Sequence, residues 1–231
     1  MYISIKCYER EVVSLSVVTE TEDQTDVNVT EFKRKPVYEF FKRILDVFFS
    51  LLALIVLSPV CLISMIAIYI EDPGPVIFKQ VRVGQNGRKF SILKFRSMCV
   101  NAEDLKAHIM SQNIDQGANF KVKDDPRITR VGRFLRKTSI DELPQLFNVL
   151  KGDMAIIGPR PFIEREQKRL PNDRLMVRPG LSCYWQIGGK NSLSIQEQIE
   201  LDRKYIRERS IIVDIKIILL TLKFIFHNMN A

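Results

Sequence analysis

Residues 136–160 read RKTSIDELPQLFNVLKGDMAIIGPR, and the fold turns on how they are read. Ser139 stands three residues before Glu142, the spacing at which a hydroxyl and a carboxylate cap a helix start. Ile140, Leu143, Phe147 and Leu150 follow at helical spacing and predict a buried face, with Asp141, Gln145 and Asn148 on the other side. Gly152 falls where such a helix would stop. Asp141 and Glu142 then occupy a first helical turn, with Arg133, Arg136 and Lys137 before them and Arg160 after. Bare helix amides and guanidiniums around a carboxylate pair suit the handling of phosphate. A plainer reading stands beside it: acids are ordinary in a first turn, and Glu142 is then only half of a cap.

On the upstream side, Lys121, Lys123, Arg127, Arg130, Arg133, Arg136 and Lys137 surround Val131, Phe134 and Leu135, so these cations ring a packed helix. Asp124 and Asp125 precede Pro126 and Arg127, a pair able to seat a metal but more simply a turn. A short helix is expected over 101–112, with Leu105, Ile109 and Met110 inward. Two strands, 76–83 and 88–95, flank Asn86-Gly87 and form a hairpin whose second arm runs into Lys94-Phe95-Arg96-Ser97-Met98. Downstream, 154–157 is a short strand. It leads into Gly158-Pro159-Arg160-Pro161, where two prolines fix the backbone that presents Arg160; Arg178-Pro179-Gly180 repeats the device. A second Ser-x-x-Glu, Ser194 to Glu197, opens a helix over 194–209. Gly188-Gly189-Lys190 lacks the frame of a phosphate loop.

Residues 47–70 carry no charge, a run long enough to cross a bilayer core, and Ser58-Pro59 sits at its midpoint. Lys42 and Arg43 flank it on one side, Lys79, Arg82, Arg88 and Lys89 on the other, so charge gives no orientation. A kinked helix that enters and leaves on one face, and a simple span, both fit. Residues 211–226 are apolar with Lys216 and Lys223 on one line and Asp214 and Thr221 on another, which fits an interfacial helix or an ordinary core helix. The first 35 residues hold a short apolar strand or hairpin and then a polar linker, with no signal-peptide pattern.

The whole reads as an α+β chain: an appendage and linker over 1–35, a membrane helix over 36–72, and over 73–231 a mostly helical cytosolic domain with a short β-hairpin and interfacial helices. Its 231 residues carry a net charge of +8, which favours phosphorylated substrates or acidic headgroups. No nucleic-acid motif accompanies that charge. Four scattered cysteines and two distant histidines argue against zinc and disulfides and for a reduced compartment.

Taken in order, these motifs over residues 36–231 resemble the bacterial sugar transferases known as monotopic phosphoglycosyl transferases. The resemblance is carried by Lys42-Arg43 with Asp46, Ser58-Pro59, Gly74-Pro75, Gln80, Arg82 and Gly84. It continues through residues 94–98, Asp125-Pro126-Arg127, residues 136–148 and the two proline-framed arginines. It implies transfer of a sugar 1-phosphate from a nucleotide sugar, a UDP sugar, to undecaprenyl phosphate at the cytoplasmic face of the bacterial inner membrane. By the same resemblance Asp141 is the nucleophile and forms a covalent phosphosugar. Glu142, with Asp141, holds Mg²⁺, and Arg136 and Arg160 contact phosphates. Lys94, Arg96, Arg133, Pro159, Pro161 and Arg178 bind substrate. Ser58 and Pro59 break a re-entrant helix, and Arg43 and Asp46 face phospholipid headgroups. Further partners would be a second copy of the chain and downstream glycosyltransferases. Two rival readings remain: a glycosyltransferase that uses Asp124 or Asp125 for metal and releases a nucleoside diphosphate, and a non-catalytic scaffold for polysaccharide assembly.

Overall fold

The computed structural model describes residues 33–109, 125–187 and 193–229. The strand expected near the amino end, Met110, Lys121, Lys123, Asp124 and Gly188-Gly189-Lys190 lie outside those residues. Two helices come first, α1 (Pro36–Val56) and α2 (Ser58–Glu71). Pro36 opens α1, where a missing amide costs nothing. Pro59 in the first turn of α2 has no N–H to give the turn before it, and the Ser58 hydroxyl donates to the Ile55 carbonyl at 2.8 Å. The pair bends there by 61°. No single described helix is long and apolar enough to cross a membrane, although the bent pair together has that length and apolarity. Its surface is inverted: Phe48, Ile55, Ile63 and Ile70 are exposed, while the buried positions are Asp46, Ser50, Ser64 and Ile68.

Strands β1 (Ile77–Val83) and β2 (Lys89–Phe95) pair antiparallel from Ile77 opposite Phe95 to Val83 opposite Lys89. Asn86 and Gly87 make the turn with φ of 53° and 76°, the conformation that Asn-Gly adopts at least cost. Helix α3 (Ala102–Ile109) follows, then α4 (Arg130–Thr138). Thr129 caps α4 by accepting from the Gly132 amide at 2.9 Å. The Glu71 carboxylate accepts from the Arg130 and Val131 amides at 2.7 and 2.9 Å, so the end of α2 holds the start of α4.

The central stretch departs from expectation. Ser139 lies at φ 59°, directly after α4, and makes no side-chain cap. Residues Ile140–Glu142 form one tight 3₁₀ turn, and Pro144 precedes a separate helix, α5 (Gln145–Lys151). The expected buried face is also wrong in part. Phe147 is 50% exposed and Asn148 is 1% exposed. The reason lies at the open edge of β2, which among the described residues has a partner strand on one side only. Asn148 supplies the other side: its amide donates to the Ser91 carbonyl at 2.8 Å, and its oxygen accepts from the Leu93 amide at 3.0 Å. Backbone groups buried at a sheet edge need such partners. Gly152 does end α5, at φ 89°.

The chain continues through β3 (Ala155–Ile157), α6 (Glu164–Gln167), β4 (Gly180–Ser182), α7 (Tyr184–Ile187), α8 (Ile195–Glu208) and α9 (Ile211–Met229). Strands β3 and β4 run parallel, and the Gly158 and Gly180 backbones approach so closely that a Cβ on Gly180 would sit 2.1 Å from the Gly158 nitrogen. The two proline-framed arginine loops are therefore one paired structure. One core cluster (Ile157, Cys183, Trp185, Tyr205, Ile206, Ile217) lies under α9; another (Ile68, Phe95, Leu135) joins α2, β2 and α4. On α9 the Asp214–Thr221 line is the one against the protein. Asp214 accepts from Tyr38, Lys42 and Tyr205, and Thr221 bonds Ser182 at 2.7 Å. Ile212, Ile215, Leu219 and Leu222 are exposed. The architecture is α+β and mostly helical.

Candidate active site

Side chains alternate across a hairpin, so the register puts Phe78, Gln80 and Arg82 on the same face as Lys94, Ile92 and Phe90. Arg82 and Lys94 thus share one side of the sheet. A cleft opens on that side, lined by Arg82, Lys94, Glu142, Gln145, Arg160, Pro161 and Gln186 among others. Lys94 Nζ meets Glu142 Oε1 at 2.6 Å, with both side chains partly exposed. The carboxylate expected to fold back on Ser139 has gone across to the strand instead.

Arg82 donates to Gln80 Oε1 at 2.6 Å and to the Pro161 carbonyl at 3.4 Å, with Glu166 at 3.7 Å. Burial, then the neighbouring Arg160 charge, push its pKa down to about 10, with Glu166 opposing. It remains a cation at neutral pH. Arg160 is held from behind: its carbonyl accepts from Arg174 at 2.9 Å, and Arg174 pairs with buried Asp202 at 2.5 Å. Its guanidinium lies 5.3 Å from the Trp185 ring centroid. Three cations therefore converge on a cleft that carries one carboxylate, an arrangement that calls for an anionic ligand. Gln186 adds an acceptor, since its Oε1 is buried with no hydrogen-bond partner among the described residues.

Asp141 is the residue before Glu142 in the same turn and is 8% exposed. Its charge acts on Arg136. Desolvation lowers the Arg136 pKa, and Asp141 and then Asp125 oppose that. Arg136 Nε donates to Ser97 Oγ at 2.8 Å, which fixes the guanidinium beside the turn. The turn is thus two-sided, with Glu142 towards Lys94 and Asp141 coupled to Arg136. Among the described residues no group of three His, Cys, Asp or Glu forms a metal cluster. Glu142 is partly exposed at the cleft, and one such acid with waters and substrate phosphates is a donor set that Mg²⁺ takes. Asp125 does not suit a metal: Arg127 occupies both its oxygens, at 2.9 and 2.7 Å, and that bond holds its pKa below the usual carboxylate value.

Several expected site residues lie elsewhere. Arg96 is buried and clamps Asp72 at the end of α2. Arg133 is exposed on α4, and Pro159 contributes its carbonyl to the Gly180 amide. Arg178 lines a different cavity, beside Arg43. Arg43 and Asp46 were expected to face headgroups, but both are internal tethers. Arg43 donates to the Val149 and Leu150 carbonyls at 2.6 and 2.8 Å, satisfying the bare end of α5. Asp46 is 5% exposed and accepts from the Ile156 amide at 3.2 Å. Sequence reading did not assign Arg82 or Gln186 to the site. For Arg82 the signal was present: a hairpin closed at Asn86-Gly87 gives residues 82 and 94 the same face.

The family model described as bacterial sugar transferase matches residues 37–228. Among curated proteins, the chain is 47% identical over 194 residues to the galactosyl transferase CpsE of Streptococcus agalactiae, covering 82% of this chain and 43% of that protein. It is 39% identical to the undecaprenyl-phosphate galactose phosphotransferase of Salmonella typhimurium (83% and 42%). It is 37% identical to the exopolysaccharide production protein ExoY of Sinorhizobium fredii (81% and 86%). The chain spans less than half the length of the first two relatives and most of the third.

Proposed function

The chain belongs to the bacterial sugar transferase family, and from that premise we propose that it moves a sugar 1-phosphate from a UDP sugar to undecaprenyl phosphate. The observation that carries this reading is the one cleft that Arg82, Lys94, Arg160 and Glu142 line together, one residue from Asp141 and the Arg136 charge that acts on it. A nucleotide sugar brings a pyrophosphate, whose charge repels any carboxylate that attacks it. Cations fixed at both sides of the turn lower that repulsion and stabilise the leaving phosphate.

A carboxylate oxygen of Asp141 attacks the phosphorus that carries the sugar, the bond to the nucleoside phosphate breaks, and that group leaves as a monophosphate. An oxygen of the acceptor phosphate then attacks the same phosphorus, and the Asp141 carboxylate departs with the electron pair. The Arg136 charge lies within electrostatic reach of Asp141 and would steady the carboxylate there. Arg160, held by Arg174 and flanked by prolines, grips donor phosphate, and Arg82 supports it across the cleft. Glu142, with the donor phosphates, would hold Mg²⁺, which supplies charge neutralisation when bound. In this reading the bent α1–α2 pair enters and leaves on the cytoplasmic face; its exposed apolar side chains support contact with lipid, and its 61° bend suits a re-entrant path. There the turn sits at the level of the acceptor's phosphate. The product would begin a capsule or exopolysaccharide chain.

The test is single turnover without acceptor. Enzyme, Mg²⁺ and donor should release up to one nucleoside monophosphate per chain, and the peptide containing Asp141 should gain the mass of a sugar phosphate. Asp141→Asn should lose both signals. Release of a nucleoside diphosphate would move the assignment to glycosyl transfer, and a label on another residue would remove Asp141.

A further inference from the structure

Strand β4 ends at Ser182, and the chain turns almost at once into α7, a single helical turn that buries Trp185 and Gln186. The Arg160 guanidinium faces the Trp185 ring, and the next residue, Gln186, lines the cleft together with Arg82, Lys94, Glu142 and Arg160. The Gln186 amide nitrogen donates to the Leu181 carbonyl at 3.0 Å. A carbonyl only accepts, so this bond decides which end of the amide is nitrogen and which is oxygen. The oxygen end, Oε1, is buried with no hydrogen-bond partner among the described residues, on a residue only 7% exposed. Buried acceptors in folded proteins nearly always have a donor, and an unpaired one is a cost that a ligand can remove.

What can pair with it follows from charge. A phosphate oxygen is itself an acceptor, and Oε1 repels it. The cations of the cleft suit phosphate, whereas an acceptor beside them suits a group that carries O–H or N–H. A UDP sugar offers both, the O–H on its sugar and an N–H on its base. The sugar is bonded to the phosphorus that Asp141 attacks, and Glu142, the next residue, lines the same cleft as Gln186. The base stands beyond a second phosphate and a ribose. The sugar is therefore the group that falls beside Gln186.

We propose that Gln186 Oε1 accepts a hydrogen bond from a hydroxyl of the donor's sugar and so takes part in selecting that sugar. A sugar without a hydroxyl at that point leaves the buried acceptor unpaired and is disfavoured for that reason. The inference rests on the transferase reading of the cleft and adds a residue for the sugar to the cations that serve the phosphates.

Isothermal titration calorimetry of the full Asp141→Asn chain in detergent, with Mg²⁺, reads binding while the donor stays whole. The probes are UDP, UDP-glucose, UDP-galactose and their N-acetylated counterparts, followed by monofluoro analogues of the tightest binder. Fluorine takes the place of a hydroxyl and removes its proton. Added to this background, Gln186→Leu should weaken the tightest UDP sugar about tenfold and leave UDP unchanged. One fluoro analogue should bind about tenfold more weakly than its parent before the leucine change and equally well after it. An equal loss for UDP would set Gln186 against the nucleotide and overturn the proposal. So would an unchanged UDP sugar, or a set of analogues in which none reproduces the loss. Those outcomes leave the transferase reading in place, whereas a panel in which no UDP sugar binds removes that reading and the proposal with it. If Gln186→Leu unfolds, Gln186→Met, unbranched and of similar length, makes the same comparison.

Discussion

Residues 139–142 read Ser-Ile-Asp-Glu and residues 194–197 read Ser-Ile-Gln-Glu, one letter apart, and the molecule uses them in opposite ways. At the second, Ser194 is extended (φ −62°, ψ 162°), its hydroxyl accepts from the Glu197 amide at 3.2 Å, and Glu197 accepts from the Ser194 amide at 2.7 Å. A 14-residue helix follows. At the first, Ser139 is left-handed, the hydroxyl caps nothing, and Glu142 reaches Lys94. The difference comes from the neighbours. Helix α4 runs to Thr138, so Ser139 must end one helix and cannot take the extended conformation that starts another. Pro144 then prevents a single helix from running on. The same letters cap a helix where the incoming chain is free, and present two acids where it is not.

The sharpest way to break this comparison is to remove the same charge from both. Glu142→Gln should lower transfer by on the order of 10²–10³-fold, the usual loss for an electrostatic group at a reacting centre. Its thermal unfolding should move little, because the Lys94 pair is partly exposed. Glu197→Gln should change neither, since glutamine serves equally in a capping box. Steady-state release of nucleoside monophosphate, beside a melting curve, reads both variants. Equal losses of turnover would mean that residues 139–142 are structural after all.

This pair also marks how far sequence alone reaches. The hairpin, the break at Ser58-Pro59, the Ser194 cap and the helix end at Gly152 were legible because each rests on local geometry: a turn, a missing amide, a short side-chain bond, a left-handed residue. The sequence also singled out Glu142 and Arg160, which line one cleft, and Asp141 in the same turn as Glu142. What failed depended on contacts distant in sequence. Asn148 looked solvent-facing until an unpaired strand edge 55 and 57 residues away required it. The family resemblance gave Arg96, Arg178, Arg43 and Asp46 to ligand or lipid; in the structure three of them tie elements together and Arg178 lines a separate cavity. Arg82 was overlooked although strand parity places it with Lys94.

A smaller effect separates the two serines. Ser194→Ala should cost about 1 kcal/mol, the typical value for a lost helix cap. Ser139→Gly should instead stabilise by roughly 0.5 kcal/mol. It relieves a left-handed residue that costs about 1–2 kcal/mol, offset by the freer unfolded chain. Capping logic applied to both sites predicts a loss at each, so urea midpoints that fall for Ser139→Gly would put the first site back with the second.

The smallest effect is a dependence on pH that only the true cap should show. The Ser194 hydroxyl first, and its amide second, hold the Glu197 carboxyl below the usual glutamate value. A carboxylate whose folded pKa is depressed contributes its stability in full above the unfolded value, about 4.3. That contribution is lost as pH falls through the lower folded pKa. Ser194→Ala removes the hydroxyl, the larger of the two causes, and keeps the amide, so the Tm gap between wild type and this variant should narrow as pH is taken from about 7 to about 3. Glu197 is exposed, so the change should be slight and should shrink further in high salt. Ser139→Gly alters backbone conformation and no proton equilibrium, so its gap from wild type should stay level over the same range. A Ser194→Ala gap that stays level too would mean that Glu197 adds nothing to the cap, and the contrast between the two stretches would then rest on backbone conformation and the Lys94 pair alone.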